Sequence, residues 1–402
     1  MRAVRDDRTH GSQIAFAMHI AFYAPLKPPT HGTPSGDRRV AALLMKALQR
    51  VGHDVELVSE FRSLDAQGDA QHQADLREQG MQLMQRLVSG WISGPAAARP
   101  DLWFTYHVYY KAPDWLGPGA CAALRIPYVI AEASFAPKRA GGRWALGHEA
   151  AREAIARANL VLAPTRHDME CLRPLLAAPD RIAQLPPFLD AQPFHDALLD
   201  RAAHRARLAG VHRLDAALPW IVITAMMREG DKLASYRELA AALALLGDLP
   251  WQVVIAGDGP ARAAVVAAVN RAAPGRARFL GELSGDKLAA AYAACDLFLW
   301  PAVNEAYGMA MLEAQAAGVP VVSCALRGVP DVVCDGQTGL LVPPQDPQAL
   351  AAAARALLLD PERRRAMGER AQAWVAGERS LETAAARLDE ALVRVAARTG
   401  TH

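Results

Sequence analysis

From Met18 onward the chain alternates two patterns: short, continuously apolar runs, and longer stretches whose apolar residues recur every three or four positions. The first reads as a strand buried on both faces, the second as an amphipathic helix. Strands are expected at 19–24, 55–58, 102–106, 128–131 and 160–163, with helices over 37–51 and 71–92. In the first helix the repeat is Val40, Leu43, Leu44, Ala47 and Leu48, and Gly52-His53-Asp54 then turns the chain. The rhythm fades over 186–219, where Pro186-Pro187, Pro193 and the basic stretch from Arg201 to Arg213 read as a domain junction. It resumes at Trp220-Ile221-Val222-Ile223-Thr224, with strands at 251–256, 277–280, 295–300, 319–323 and 340–342. The tail over 361–398 reads as helical, with a break near Gly377. Strands alternating with helices predict an α/β chain with parallel sheets covered on both faces. In such sheets a ligand lies outside the carboxyl ends of the strands.

A chain of 402 residues suits two domains. A polar, Arg-containing leader at 1–17 is expected to be disordered or to precede the true start. The first domain then runs over 18–200 and the second over 201–377. The final helix, 378–402, carries Leu381, Ala384, Ala385, Leu388, Leu392 and Val395 as an apolar stripe. It is assigned to the first domain, although such a stripe could pack equally on the second. A 52% hydrophobic content is enough for two cores. The net charge of +2 is divided evenly between the halves, which argues against a nucleic-acid partner. No apolar span of 18 residues occurs, so a membrane helix is excluded, and only peripheral membrane contact is left open. The five Cys are scattered through mostly apolar runs, the pattern of reduced thiols in the cytoplasm. There is no C-x-x-C, H-E-x-x-H or Asp-x-Asp, so nothing in the sequence asks for a metal or other cofactor.

The most informative run is Asn304 to Val322, which holds Glu305 and Glu313 eight positions apart. Asp296 to Trp300 before it reads as a buried strand closed by Pro301. Met309 to Ala317 is built of helix formers and stopped by Gly318. Glu305 is therefore expected in a strand-to-helix loop and Glu313 about two turns into the helix. Eight helical residues rise roughly 12 Å, close to the span of a nucleotide sugar from hexose to ribose. Ala306, Tyr307, Gly308 and Met309 lie between, and amides at a helix start bind anions. One carboxylate for sugar hydroxyls, amides for a diphosphate and a second carboxylate for ribose hydroxyls would make a coherent pocket. Two Glu on a solvated helix face is the alternative.

Other residues fit the same chemistry. Arg228 and Lys232 follow the strand at 220–224 and stand at the start of a helix. Cations there oppose the helix dipole unless an anion offsets them, as a diphosphate would. Otherwise they are exposed surface cations. Gly257-Asp258-Gly259 lacks the third Gly of a dinucleotide fingerprint and reads as a tight turn. Arg327-Gly328 and Asp335-Gly336 read as turns first, with Gly328 able to touch a sugar. In the first half, Gly36 allows a ligand to approach the backbone. His107 and Glu132 end two strands, where side chains face a ligand cleft rather than the core.

Together these residues resemble glycosyltransferase family 4, retaining enzymes of the GT-B fold. The resemblance runs from Met18 to about residue 375. It is carried by Glu305 and Glu313 as an E-x7-E signature, by Ala-Ala-Gly-Val-Pro-Val-Val after it, by Thr338-Gly339-Leu340-Leu341-Val342, by Gly36, and by the pair Arg228 and Lys232. Departures are Ala306-Tyr307-Gly308 for Gly-Phe-Gly, Arg327-Gly328 for Gly-Gly, Asp331 for Glu, an Arg-to-Lys spacing one residue shorter, and Glu132 where a His is frequent. The resemblance implies two Rossmann-like domains facing each other across a cleft. It implies transfer of a hexose from a nucleotide sugar to an acceptor hydroxyl with retention, and the lack of any Asp-x-Asp beside the basic pair predicts that no metal is needed. Glu313 would hold ribose and Glu305 sugar hydroxyls. Arg228 and Lys232 would neutralise the leaving diphosphate, His107 would orient the sugar, and Glu132 would lie on the acceptor side. The acceptor would be a saccharide, a lipid-linked sugar or a small molecule. The alternatives are another GT-B enzyme, such as a nucleotide-sugar epimerase or hydrolase, and a non-catalytic nucleotide-sugar-binding protein.

Overall fold

A computed structural model describes residues 17–33 and 35–399; the expected leader therefore lies almost wholly outside the described residues. The chain divides into two compact units. One runs to Pro186 and takes back the C-terminal segment from Glu382; the other is Pro187–Leu381.

The first unit contains β1 (His19–Tyr23), α1 (Gly36–Arg50), β2 (Asp54–Ser59), α2 (Ala70–Ser93), β3 (Leu102–Val108), α3 (Gly117–Leu124), β4 (Tyr128–Ala133), α4 (Ala145–Arg157), β5 (Leu160–Ala163), α5 (Arg166–Leu172) and β6 (Ile182–Gln184). The strands form one parallel sheet in the order β2-β1-β3-β4-β5-β6. The apolar runs predict these strands because a parallel sheet is buried on both faces, so its strands do not alternate. β1 and β3 show it: Phe22 and Phe104 are fully buried and stack at 5.6 Å. The three-residue β6 is missed in the sequence, since Ile182 is its one strongly apolar residue.

The second unit contains α6 (Gln192–Leu199), α7 (Arg201–His212), β7 (Trp220–Thr224), α8 (Asp231–Ala244), β8 (Gln252–Ala256), α9 (Arg262–Ala272), β9 (Ala277–Gly281), α10 (Gly285–Ala293), β10 (Leu297–Trp300), α11 (Met309–Ala316), β11 (Val321–Cys324), α12 (Val329–Val332), β12 (Gly339–Val342), α13 (Pro347–Leu358) and α14 (Pro361–Glu378). Its sheet is also parallel, in the order β12-β11-β10-β7-β8-β9.

Three expectations are corrected here. The stretch read as a junction is helical and packed. α6 lies on α10, with Phe194 6.0 Å from Tyr292, so the boundary falls at Pro187 rather than near 200. The basic residues of α7 have a structural use: Asp296 accepts from Arg201 at 2.7 Å, from Arg205 at 2.9 Å and from the Trp220 amide at 2.8 Å. The break expected at Gly377 comes at Arg379-Ser380, between α14 and a last helix, α15 (Leu381–Thr399). The α15 stripe is buried, with Leu388 and Leu392 fully so, and the helix ties into the first unit. Asp389 lies 3.3 Å from His53, and Arg398 lies 2.6 Å from Asp180. Burying each Leu contributes about 1.5–3 kcal/mol, whereas an exposed pair such as Arg398–Asp180 adds at most about 1 kcal/mol.

Candidate functional site

Each sheet has one point where the strand order reverses direction, and ligands of open α/β sheets bind there. In the first unit it lies between β1 and β3, and in the second between β7 and β10. The loops at both points carry residues singled out in the sequence, and at both an ion pair joins the two sides.

In the second unit Lys232, the second residue of α8, places its Nζ 2.5 Å from Glu305 Oε2 in the loop after β10. The two side chains are 22% and 20% exposed, so the pair is reachable from solvent. The loop is built to hold this position. Ala302 and Asn304 adopt positive φ of 60° and 55°, a conformation that costs non-glycine residues energy unless surroundings hold it. They are held by α8. The Val303 amide donates to Ser235 Oγ at 3.0 Å, and Asn304 Nδ2 donates to Asp231 Oδ2 at 2.7 Å. Lys232 also lies 5.6 Å from the centre of the Trp300 ring. Arg228 is exposed in the loop before α8.

Ala306, Tyr307 and Gly308 lead directly into α11, and Gly328 donates its amide to Ala306 O at 3.0 Å, joining the two loops. Gly308 has φ 86°, a left-handed backbone that favours glycine. α11 begins only at Met309, which makes Glu313 its fifth residue. It therefore stands about one turn into the helix, not two, and the straight 12 Å rise does not apply. Glu313 is 2% exposed and accepts from Tyr292 Oη at 3.1 Å.

The Gly257-Asp258-Gly259 turn has a purely packing explanation. A Cβ would meet Ala225 O at 2.0 Å from Gly257 and Met227 O at 2.4 Å from Gly259, because this turn lies against the extension of β7. Met227 donates to Asp258 O and Ala261 to Met227 O, each at 2.8 Å.

In the first unit His107 and Glu132 are the penultimate residues of β3 and β4, side by side in the sheet. Both have positive φ, 63° and 61°. Strain at matched positions of two neighbouring strands is characteristic of functional sites. His107 Nδ1 lies 3.0 Å from Asp37 Oδ1 and 3.7 Å from Glu132 Oε1. Burial opposes the charged imidazole, but Glu132, Asp37 and Asp168 together outweigh it and raise the His107 pKa. Burial likewise opposes the Asp37 carboxylate, and the hydrogen bond and charge of His107 outweigh that and lower its pKa. Asp37 is the second residue of α1, directly after Gly36. Gly36 itself has ordinary backbone, and a Cβ there meets nothing within 4 Å, so the described fold does not require glycine.

Sequence reasoning missed Asp37, Asp168 and Tyr292. Asp37 carried a signal, an acid in the first turn of the helix after the first strand. Tyr292 carried none, since its contact with Glu313 is made by packing of α10 on α11. Among the described residues no cluster of His, Cys, Asp and Glu is arranged to hold a metal ion.

Residues 225–374 match the family of glycosyl transferases group 1, and the match spans Arg228, Lys232, Tyr292, Glu305 and Glu313. Over that stretch the second unit is similar to the group 1 glycosyltransferases. A D-inositol 3-phosphate glycosyltransferase of Kineococcus radiotolerans is 36% identical over 214 residues, 48% of this chain and 48% of that protein. The chain thus spans about half or less of the length of such curated relatives. Two solved structures share the fold. The catalytic domain of starch synthase IV from Arabidopsis thaliana, bound to ADP and acarbose, superposes at TM-score 0.70 and 15% identity, covering 95% of this chain and all of that one. HepE of Anabaena, in complex with UDP-glucose, gives 0.66 and 18% over 94% of this chain and all of that one. The chain therefore has the GT-B fold.

Proposed function

We propose that this protein transfers a hexose from a nucleotide sugar to an acceptor hydroxyl with retention of configuration and without a metal. The observation that carries the proposal is the Lys232–Glu305 pair held across the β7/β10 switch point. A cation and a carboxylate there have complementary uses. Lys232, with Arg228 beside it, would face the diphosphate, whose charge grows as the glycosidic bond breaks. Preorganised charge aimed at a developing anion is the strongest single means of lowering such a barrier. Glu305 would accept hydrogen bonds from sugar hydroxyls, and the start of α11 at Met309, with Ala306, Tyr307 and Gly308, would border the phosphates. Glu313 would serve the ribose from its buried position, with Tyr292 fixing one of its oxygens.

In the first unit, the strained pair His107 and Glu132 supports a role on the sugar and acceptor side, with Asp37 orienting the imidazole. Gly36, a glycine without a structural need, supports close approach of a ligand to the start of α1. The bound ligands of the two structural relatives differ in base, UDP in one and ADP in the other, so the fold leaves the donor base open.

The test is a transfer assay with UDP-, GDP- and ADP-hexoses in the presence of EDTA. Release of nucleotide only when acceptor is present, with the anomer retained by NMR, is the expected result. Nucleotide release without acceptor would point to a hydrolase. Activity abolished by EDTA and restored by magnesium or manganese would refute metal independence.

A further inference from the structure

Beyond His107 the first unit carries a feature that no residue of the proposed donor site uses. The chain after β3 makes a tight hairpin. Tyr109 and Ala112 exchange backbone hydrogen bonds at 3.4 and 3.0 Å, which displays Tyr110 and Lys111 at the tip. From His107 a continuous run of rings leads outward: His107 to Tyr109 at 5.1 Å, Tyr109 to Tyr110 at 5.5 Å, Tyr110 to Trp144 at 5.5 Å. Each of these rings is only partly buried.

The far end of the run is cationic. Lys111 Nζ lies 4.8 Å from the Trp144 ring centre, and the Arg139 guanidinium lies 5.4 Å from Tyr110 and 5.8 Å from Trp144. Among the described residues neither cation forms an ion pair with a carboxylate. The nearby acid, Asp65, is 3% exposed and fully engaged. Its carboxylate accepts from the amides of Gln67, Gly68 and Asp69 at 2.9–3.0 Å and from Gln73 Nε2 at 2.8 Å. The same Asp65 fixes the platform, because its carbonyl accepts from Trp144 Nε1 at 3.0 Å and its amide donates to Lys111 O at 2.8 Å. Two like charges sharing one aromatic pair repel each other, and ring contacts at such distances offset only about 0.5–1 kcal/mol at an exposed site. An anion between them would remove the repulsion.

The near end has the opposite character, with Asp37, Glu132 and Asp168 around His107. We propose that the run from His107 to Trp144 binds a soluble acceptor of bipolar chemistry: a saccharide whose hydroxyls face the carboxylates, whose rings stack on Tyr109 and Tyr110, and whose phosphate or carboxylate sits between Lys111 and Arg139. Sugar rings stack on aromatic faces while hydroxyls hydrogen-bond to carboxylates, so one ligand satisfies both ends. The proposal deepens the acceptor-side reading of His107 and rests on it.

Calorimetry on the full chain without donor tests it, using trehalose and trehalose 6-phosphate, and glucose and glucose 6-phosphate. The phosphorylated member of a pair should bind at least tenfold more tightly. Lys111→Gln with Arg139→Gln should abolish that preference while nucleoside diphosphate binding is unchanged. Equal affinity for phosphorylated and neutral probes, or a preference that survives in the double variant, overturns the proposal. So does binding to vesicles rich in phosphatidylglycerol with no preference among the soluble probes, which would make the patch a membrane contact. Because no transfer is measured, failure of the transferase reading would show separately, as absence of turnover with this preference intact.

Discussion

The two switch points use one architectural device for opposite electrostatics. In each, the helix after the unit's first strand supplies one member of an ion pair, Asp37 from α1 and Lys232 from α8. The strand end or loop across the reversal supplies the other, His107 or Glu305. In the first unit one imidazole faces three carboxylates, so the site is acidic and its cation is conditional on pH. In the second the Lys232 ammonium meets a single carboxylate, with Arg228 exposed in the loop before α8. A parallel sheet fixes where a ligand lies, and the few residues at the loop starts fix its charge. On the proposed function, hydroxyl groups would lie at the first site and an anion at the second.

The largest expected effect tests the anion side. Lys232→Ala should lower turnover by on the order of 2–4 kcal/mol in transition-state stabilisation, or roughly 30- to 1000-fold. Initial rates at saturating donor measure it. Affinity for free nucleoside diphosphate should move much less, because the charge grows only as the bond breaks. Near-normal turnover would make Lys232 a structural partner of Glu305 and dissolve the contrast between the two units.

A second pair of variants separates the two acids of the second unit. Glu313→Gln should weaken free nucleoside diphosphate by about 1.5–3 kcal/mol, the range for hydrogen bonds to a charged group. Glu305→Gln should leave that affinity nearly intact and lower turnover, since a free nucleotide has no sugar to contact. Equal losses of affinity in both would refute the division of roles. Tyr292→Phe is the smaller companion. It removes one hydrogen bond from the buried Glu313 carboxylate and should cost stability by thermal unfolding, at the low end of the range of about 1.5–3 kcal/mol for a bond to a charged group. If Tyr292 positions Glu313, nucleotide affinity falls with it.

The sequence made the sheets legible because parallel strands buried on both faces leave runs such as Trp220 to Thr224 and Leu297 to Trp300 that no amphipathic helix imitates. It made Glu305 and Lys232 legible as individual residues, through their places at loop and helix starts. Their contact was not legible, since it depends on Ala302 and Asn304 taking positive φ and on Ser235 anchoring the loop. α6 and α7 were hidden because the charge of Arg201 and Arg205 reads as solvent-facing, whereas their partner Asp296 is more than 90 residues away. Glu313 shows the limit of counting residues along a helix. Four of the eight steps from Glu305 precede α11, so sequence spacing gave the signature but not the distance.

The smallest effect concerns pH, and it sharpens the comparison by testing the first switch point. The folded pKa of His107 is raised. Its pairing therefore stabilises the fold fully below the imidazole's ordinary value, and that stability is lost as pH rises through the raised folded value. Asp37 has a lowered folded pKa. Its contribution is present above the ordinary carboxylate value and is lost as pH falls through the lowered folded value. Between those limits the pair is ionised on both sides and at full strength. Asp37→Asn removes a hydrogen bond and a charge from His107 while burial still opposes the imidazolium, so the imidazole should titrate at lower pH. NMR titration of the His107 ring in both proteins measures the shift, with His53 as internal control, since it lies in the same unit but pairs with Asp389. A downward shift confined to His107 is the expected outcome. An unchanged His107 titration would mean that Glu132 and Asp168 set its charge and that Asp37 only complements the dipole at the start of α1, which Ser35 caps.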